Sequence, residues 1–594
     1  MAAKYKFYNT RHLLTAFALF FCINAFSQNA RILLDETYED WQNLNPTHSD
    51  PLDDQPGSFI DFGNFWAWND SDHLFLRIEL GDEINLQDNN AITVFIDTDN
   101  NASTGFAING IGADLGYSFG NREGTIFNGI SGTSVNHADI GLVSSPTVTS
   151  TEFELAISTN ILVNGQPLFS SDDIRFVWRN NALFGDVLPN ENGSVLYNFI
   201  ENGSEDLPQY SIEKLDGDHL RILSYNVLFD GFFDPGKVSS FTRILQAVQP
   251  DIIGFQEIYG YSSQQTANQV ESMLPSGPGE VWFHGKAGPD VIVVSRYPVT
   301  NVYPISGVNQ NQGNGAFLLD LSSIHDTDLL LLNAHTPCCD NDDTRQEEID
   351  AMMAFVRDAK SPGGLLTLEE GTPIVVLGDM NLVGLKQQQT TLLTGDIVNE
   401  SPYGNDFQPD WDNSAFEDAK PYTTGLPMSF TWYRENSDFS PGRLDYIVYS
   451  GSVMSLENSY VLFTPGLPAD SLGTHGLLAF DATTASDHLP VVADFEIGLA
   501  TSVDELTTLA LEIEISPNPV SELSKIRFTL DRQETVALQV VDIHGRVVQQ
   551  LIDQHLSSGQ HVIAFDPKYL VNGVYFVRLQ AGSQLASQKV VIAD

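Results

Sequence analysis

The chain has 594 residues and carries 28 Lys and Arg against 78 Asp and Glu, a net charge of −50. That length predicts about three or four folded units, and 42 % hydrophobic residues are enough for packed cores. The charge argues against avid, non-specific nucleic-acid binding but leaves a transient, metal-bridged substrate open, and three cysteines exclude a disulfide framework.

Residues 1–27 read as a targeting segment: Lys4, Lys6, Arg11 and His12 precede an apolar run at 13–21, and Ala25-Phe26-Ser27 is small at the two positions a signal peptidase reads. The run is too short for a bilayer core of about 30 Å, and Phe20-Phe21 before Cys22 are too bulky for the usual lipobox. No later segment is long and apolar enough to span a membrane, so the mature chain is expected to have no transmembrane helix. It keeps only Cys338 and Cys339, which form a vicinal disulfide or are two small buried residues.

Residues 28–214 are rich in Asn, Asp and Gly. Alternating runs at 73–80, 91–98, 151–158 and 174–180 predict an antiparallel sandwich with one wet face. Asp97, Asp99 and Asn101 have the alternating oxygen spacing that suits Ca2+, and equally that of a hairpin held by Asx hydrogen bonds. Trp66 and Trp68 share a strand face, positioned for sugar stacking or core packing. A polar stretch at 201–209 leads into a central unit, 218–497, where strands alternate with helices expected at 239–248, 264–273 and 344–357, an α/β pattern. A linker at 498–509 precedes a small all-β domain, 510–594.

Six islands punctuate the central unit: Ser224-Tyr225-Asn226, Gln256-Glu257, Asn333-Ala334-His335, Gly378-Asp379-Met380-Asn381, Arg443-Leu444-Asp445-Tyr446 and Ser486-Asp487-His488. Most sit at or just after an apolar strand-like run. A carboxylate buried there without a partner costs several kcal/mol, on the order of the effective desolvation penalty of one ion; a shared divalent cation and a histidine supply a collective reason. Taken singly, Asn226 suits a turn cap, Glu257 an arginine partner and Asp445 a structural salt bridge.

The order and wording of the six islands resemble the endonuclease/exonuclease/phosphatase superfamily, whose fold is a four-layer α/β sandwich of the DNase I-like type. The resemblance implies Glu257 as the metal carboxylate with Asn226 beside it, and Asp487 as a further metal- or phosphate-site acid. It implies Asp379 and Asn381 as the pair that positions water and phosphate, and His488 as the catalytic histidine oriented by Asp445. The resemblance implies His335 as a second histidine that stabilises developing charge or protonates the leaving oxygen, a position where AP endonucleases usually lack a histidine. Mg2+ or Mn2+ is the implied cofactor. Arg296 occupies a loop suited to phosphate contact or structure, Thr431 and Trp432 resemble an island beside the substrate groove, and Arg345 and Gln346 read as a helix start anchoring the His335 loop.

Two flanking resemblances complete the organisation. YEDW (38–41), WAWNDSDHLFLRIEL and IDTDNNASTGF (96–106) resemble carbohydrate-binding family 9-like and DOMON-like β-sandwiches, which implies a glycan partner. The SPNP start, DIHGRVV and NGVYFVRLQ resemble the C-terminal sorting domain of the type IX secretion system, which implies that machinery as partner and a secreted or outer-surface location.

The expected function is a secreted, metal-dependent phosphodiester hydrolase of the nuclease type using an Asp-His-activated water. The alternatives are a sphingomyelinase- or phospholipase C-like lipid phosphodiesterase, for which FDGFFD (229–234) would offer aromatics, and a non-enzymatic glycan-binding surface protein. The central unit has 12 Lys and Arg against 37 Asp and Glu, without the basic stripe expected of a duplex-binding nuclease. The substrate is therefore nucleic acid or a lipid head group.

Overall fold

The computed structural model describes residues 30–594 except 53, 55–59, 191–192, 201–206, 208–209, 306–312, 499–512, 522, 531–533, 542–545, 569, 582–583 and 594. The targeting segment at 1–27 and all but the first residue of the linker at 498–509 lie outside the described residues. The chain divides into two compact units, 1–500 and 501–594.

The first unit opens with two antiparallel sheets. One pairs Phe62–Asn69, His73–Ile84, Ser150–Ser158 and Val143–Ser145 in that order; the other is seven-stranded and built around Ile92–Asp97 and Asp173–Asn180. Phe62, Leu76, Phe153, Phe176 and Trp178 fill the space between them. The expected wet face is absent from the first sheet, where Leu74, Phe75, Leu76, Arg77 and Ile78 are all buried. Its outward residues Trp66, Trp68, Phe75 and Ala156 share an apolar cluster with Met428, Phe430 and Phe463 of the central domain. The alternation holds, but both faces are covered. The two tryptophans are packing residues that offer no face for a sugar, and their indole N–H groups donate to Leu44 and Ala30 carbonyls.

The central strands are β1 (Leu220–Asn226), β2 (Ile252–Gln256), β3 (Phe283–Ala287), β4 (Val291–Ser295), β5 (Val299–Ile305), β6 (Asn314–Asp320), β7 (Asp328–His335), β8 (Ile374–Asp379), β9 (Glu417–Asp418), β10 (Asp445–Tyr449), β11 (Met454–Val461) and β12 (Val491–Ile497). They form two six-stranded sheets, β3-β4-β2-β1-β12-β11 and β5-β6-β7-β8-β10-β9. Each has one parallel pair, β1 with β2 and β7 with β8, and is otherwise antiparallel. The helices α1 (Val238–Val248), α2 (Ser263–Met273) and α3 (Asp342–Ala359) lie close to their expected spans. α1 buries Phe241, Ile244, Leu245 and Val248, one face at helical spacing; α2 begins with a Ser262–Gln265 capping box.

Three cores stack to give four layers. Ile222, Ile252 and Val293 of one sheet meet Leu331, Val375, Leu377 and Ile447 of the other. Alternate residues turn outward: Leu223, Phe255 and Val294 under α1 and α2, and Leu330, Leu332 and Val376 under α3. The sheets approach closely enough that a Cβ on Gly254 would lie 2.4 Å from Leu377 Cδ1.

Among the described residues, the second unit has seven strands in two sheets, three and four strands wide, around Val520, Ile526, Phe528, Val540, Val577 and Val590. Among the described residues, no helix is long and apolar enough to cross a membrane.

Candidate active site

Strand register assembles the site. Asn226 of β1 pairs with Gln256 of β2, leaving Glu257 just beyond the strand tip. In the facing sheet, His335 of β7 pairs with Asp379 of β8, which pairs with Asp445 of β10. The row from His335 to Asp445 therefore follows directly from how three strand ends align. His488 comes from the segment entering β12, held by Ser486, whose hydroxyl donates to the Asn226 carbonyl at 2.8 Å and accepts from the His488 N–H at 3.2 Å. Beneath the site, Gln256 Nε2 donates to Asn333 Oδ1 across the sheets at 2.7 Å, so half of two islands is inter-sheet scaffolding.

The backbone around the metal-side carboxylate is unusual. Leu228, Phe229 and Asp230 run consecutively through the left-handed region with φ of 51°, 48° and 60°, and Glu257 (63°) and Asn381 (46°) share it. Such conformations cost on the order of 1–3 kcal/mol each and collect where surrounding structure fixes them for function. Here the strain brings the Phe229 N–H to Glu257 Oε2 at 2.7 Å. Gly378 is required before Asp379: at φ 133° an added Cβ would lie 2.0 Å from the Ala334 carbonyl oxygen.

Asn226 Nδ2 donates to Glu257 Oε1 and Asp379 Oδ2, both at 3.0 Å, while its Oδ1 accepts from Leu228 N–H. In this arrangement Asn226 ties two carboxylates together, and its amide oxygen faces away from them. Asn381 turns its side chain to the Thr336 carbonyl at 2.8 Å. His488 Nδ1 lies 2.8 Å from Asp445 Oδ2, and its Nε2 lies 3.5 Å from Asp379 Oδ2. Thr431 Oγ1 accepts from the Leu444 and Asp445 N–H groups, fixing that carboxylate's strand. Burial disfavours charge on His488, but Asp445, Asp379 and Asp487 outweigh it and push the imidazole up to about 10. His488 thus holds its proton through neutral pH when no cation competes. Burial raises Asp379, with Asp445 adding to it, against the pull of His488 and His335.

The acid that orients His335 is Asp290, unrecognised in the sequence. It is fully buried, its Oδ2 lies 2.5 Å from His335 Nδ1, and it leaves Nε2 facing Asp379 at 3.6 Å and Glu257 at 3.9 Å. Burial opposes the His335 charge, but Asp290 and Asp379 hold the imidazole above its usual range. The available signal was an aspartate directly before an apolar run, Asp290 before the four residues that open the strand Val291–Ser295. Asp487 is half-buried, with Oδ1 making no hydrogen bond among the described residues.

Ligand atoms of Glu257, His335 and Asp379 lie within 4.8 Å of one another, as do those of Asp379, Asp445 and His488. A small set of carboxylates gathered beside imidazoles fits a hard divalent cation such as Mg2+ or Mn2+, which takes few carboxylates. Residues 223–488 match the model of the Endonuclease/Exonuclease/phosphatase family. The central domain belongs to the endonuclease/exonuclease/phosphatase family.

Residues 514–593 of the same chain match the Secretion system C-terminal sorting domain, which indicates secretion or a cell-surface location. Among solved structures, the chain is similar to ANGEL2, a 2′,3′-cyclic phosphatase in complex with adenosine-2′,3′-vanadate, at 15% identity over 47% of this chain and 96% of that one, TM-score 0.33. It is also similar to sphingomyelinase C from Streptomyces griseocarneus (14%, 46% and 99%, 0.28) and to the AP endonuclease LMAP from Leishmania major (12%, 47% and 88%, 0.27). No curated protein matches the chain. Family membership makes the central domain a phosphoester hydrolase.

Apart from Trp432, the remaining sequence candidates fall outside this endonuclease/exonuclease/phosphatase site. Arg296 follows β4 at the end opposite Asp290, roughly 20 Å along the strand; it stacks on Trp282 at 3.7 Å and donates to Ser276, a structural role. Cys338 and Cys339 are exposed and free, neither buried nor bridged. Buried Arg345 shapes their loop by donating to the Pro337 and Cys339 carbonyls. Gln346 joins Asp350 to Thr391. Trp432 is half-buried and bridges Gly442 and His488.

Phe232 is core, Phe233 stacks on Tyr261, and Phe229 is 74% exposed, stacked on Tyr259 at 6.2 Å. In the N-terminal sandwich, Asp97, Asp99 and Asp114 converge, with Asn101 as a turn residue. Asn101 N–H donates to both Asp97 and Asp99, and Asn101 Oδ1 accepts from Ser103.

Proposed function

We propose that the protein is a secreted, divalent-metal-dependent phosphodiester hydrolase of the DNase I-like type. The observation that carries this reading is the convergence of two oriented histidines, each with its own buried aspartate, on a single carboxylate, Asp379. Glu257 and Asp379 would hold Mg2+ or Mn2+, with Asn226 and Asp487 beside them. Such an ion polarises a phosphoryl oxygen and neutralises the charge that develops there. Asp445 fixes His488 with Nε2 toward Asp379, placing a proton-transfer group where an attacking water would stand. Asp290 fixes His335 so that its Nε2–H meets negative charge on the phosphoryl group or the leaving oxygen. Asn381 and Asp379, on one strained turn, position water and phosphate.

The exposed Phe229–Tyr259 stack beside Glu257 offers an apolar face for the organic part of the substrate. A nucleobase would stack on it; a membrane lipid would seat Phe229 in the bilayer interface. The second reading, a lipid phosphodiesterase, is favoured by that exposed phenylalanine and by the acidic central domain. Purified full-length protein in Mg2+ with DNA, RNA and sphingomyelin in parallel decides between them. The nuclease reading expects DNA or RNA cleavage at least tenfold above sphingomyelin turnover. The reverse order moves the assignment to the lipid enzyme, and no hydrolysis of any of the three, nor of bis(p-nitrophenyl) phosphate, rejects both.

Export is proposed to run through the C-terminal sorting domain. Truncation after residue 509 in a host with a type IX system is expected to retain the protein in the periplasm with the hydrolase active. Undiminished release of the truncated chain, read by immunoblot of medium and periplasm, would contradict this.

A further inference from the structure

We propose that Asp50, Asp54, Asp61 and Asp186 form a calcium site in the N-terminal sandwich, separate from both the hydrolase centre and the Asp97 loop. One carboxylate oxygen from each of Asp54, Asp61 and Asp186 lies within 4.8 Å of the others. Asp50 is tied to them through Asn190, whose Nδ2 donates to Asp50 Oδ1 and Asp54 Oδ2, both at 2.6 Å. The other oxygen of Asp50 points to an independent requirement. The residue is only 8% exposed, and its Oδ2 is buried without a hydrogen-bond partner among the described residues. After burial itself, the groups acting most strongly on Asp50 are Asp54, Asp186 and Asp61, all acids. A cation would satisfy a buried acceptor surrounded by like charge.

The chemistry of the donors selects the ion. All four are carboxylates, with no imidazole or thiolate, which favours a hard cation. Four carboxylates in irregular geometry suit calcium, which takes six to eight oxygens, better than magnesium, which demands a near-ideal octahedron and keeps its water. One ligand is already held in place: Asp186 Oδ2 accepts from the Phe62 N–H at 2.7 Å, and its Oδ1 from the Val187 N–H at 2.6 Å. Asp61 precedes a strand of the first sheet, and Asp186 precedes Val187–Leu188 of the second. An ion there would pin the two sheets together at one edge and fasten Asp50 and Asp54 onto them. The Asp97 loop differs because none of its carboxylate oxygens is buried without a hydrogen-bond partner among the described residues. Asp97 accepts from Asn101 and Gly112, Asp99 from Asn101 and Thr104, and Asp114 from Thr98.

The test is calcium titration of the chelator-stripped full chain by calorimetry, with the thermal midpoint followed in parallel. Asp50→Asn/Asp54→Asn is the variant of choice, because Asp186 caps a strand and its loss would confound folding. The double variant is expected to bind one calcium ion fewer than the wild type and to lose most of the calcium-dependent rise in Tm. Asp99→Asn should keep both. Unchanged stoichiometry in a natively folded double variant overturns the site, as does loss of binding only in Asp99→Asn. Should the double variant fail to fold, terbium luminescence on the wild type decides. The ring of Trp178 lies 6.4 Å from that of Phe62, beside the cluster, so sensitised emission that calcium displaces is expected. Its absence up to about 10⁻³ M, the weak end for extracellular calcium modules, rejects the proposal.

Discussion

Alanine at His488 is expected to lower kcat for metal-dependent hydrolysis of bis(p-nitrophenyl) phosphate by about 10²–10⁴-fold, the usual worth of a positioned general acid–base group. The magnitude follows from its preorganisation. His488 is buried, its Nδ1 is held at 2.8 Å by Asp445, and its backbone N–H is held by Ser486. Water outside the site cannot reproduce that geometry. Asp445→Asn should lose much of the same factor, because the amide cannot hold a charged imidazole in one orientation. The double variant should then be little worse than His488→Ala alone, since the two residues act as a unit. Removing His488 also strands Asp445 in the interior, so His488→Asn, which keeps a donor toward it, separates catalytic loss from folding loss. Asp379→Ala should be at least as inactive, because it removes the group on which both histidines converge. Wild-type turnover in both His488→Ala and Asp379→Ala would end the assignment of this centre as catalytic.

What could be read along the chain and what could not separate on physical grounds. The strand ends carrying Asn226, Glu257, His335 and Asp379 announce themselves because each closes a largely apolar, strand-like run on an amide, imidazole or carboxylate, a group that is costly to bury without a partner. The helix stripe of α1 is equally local. Asp290 was invisible for the opposite reason. It is one aspartate in a turn, 45 residues from His335, and it meets the histidine only because β4 runs antiparallel to β2 and the two sheets face each other. The same topology sends Arg296 to the wrong end of β4. The covered outer face of the first sheet was hidden as well, since Trp66 and Trp68 read the same whether their partner is a sugar, their own core or another domain. Likewise, Asp50, Asp54, Asp61 and Asp186 span well over a hundred residues and are gathered only by pairing of strands at two sheet edges.

Arg443→Met is expected to destabilise the first unit by about 3–5 kcal/mol, the range for breaking a buried ion pair by deleting one partner. Arg443 is 2% exposed and lies 4.0 Å over the ring of Tyr446. It donates to both carboxylate oxygens of Asp418, and its Nη1 lies 3.1 Å from Glu36 Oε2. Glu36 comes from the segment before the N-terminal sandwich, whose Leu34 bridges to Met428, and it is further held by Gln389 at 2.9 Å. One guanidinium therefore neutralises two buried acids from opposite sides of a domain junction, and methionine fills its volume while leaving both acids unpaired. The loss should appear as a lower urea midpoint. It should also appear as reduced kcat, because Arg443 lies two residues before Asp445 and the neighbouring Leu444 carbonyl accepts from Met380, between Asp379 and Asn381. Adding Glu36→Gln and Asp418→Asn to Arg443→Met should restore much of the stability, since a neutral interior costs less than stranded charge. A midpoint unchanged by Arg443→Met would mean the three charges do not hold the junction. Restored stability without restored kcat would locate the remaining defect in the strand that presents Asp445 to His488.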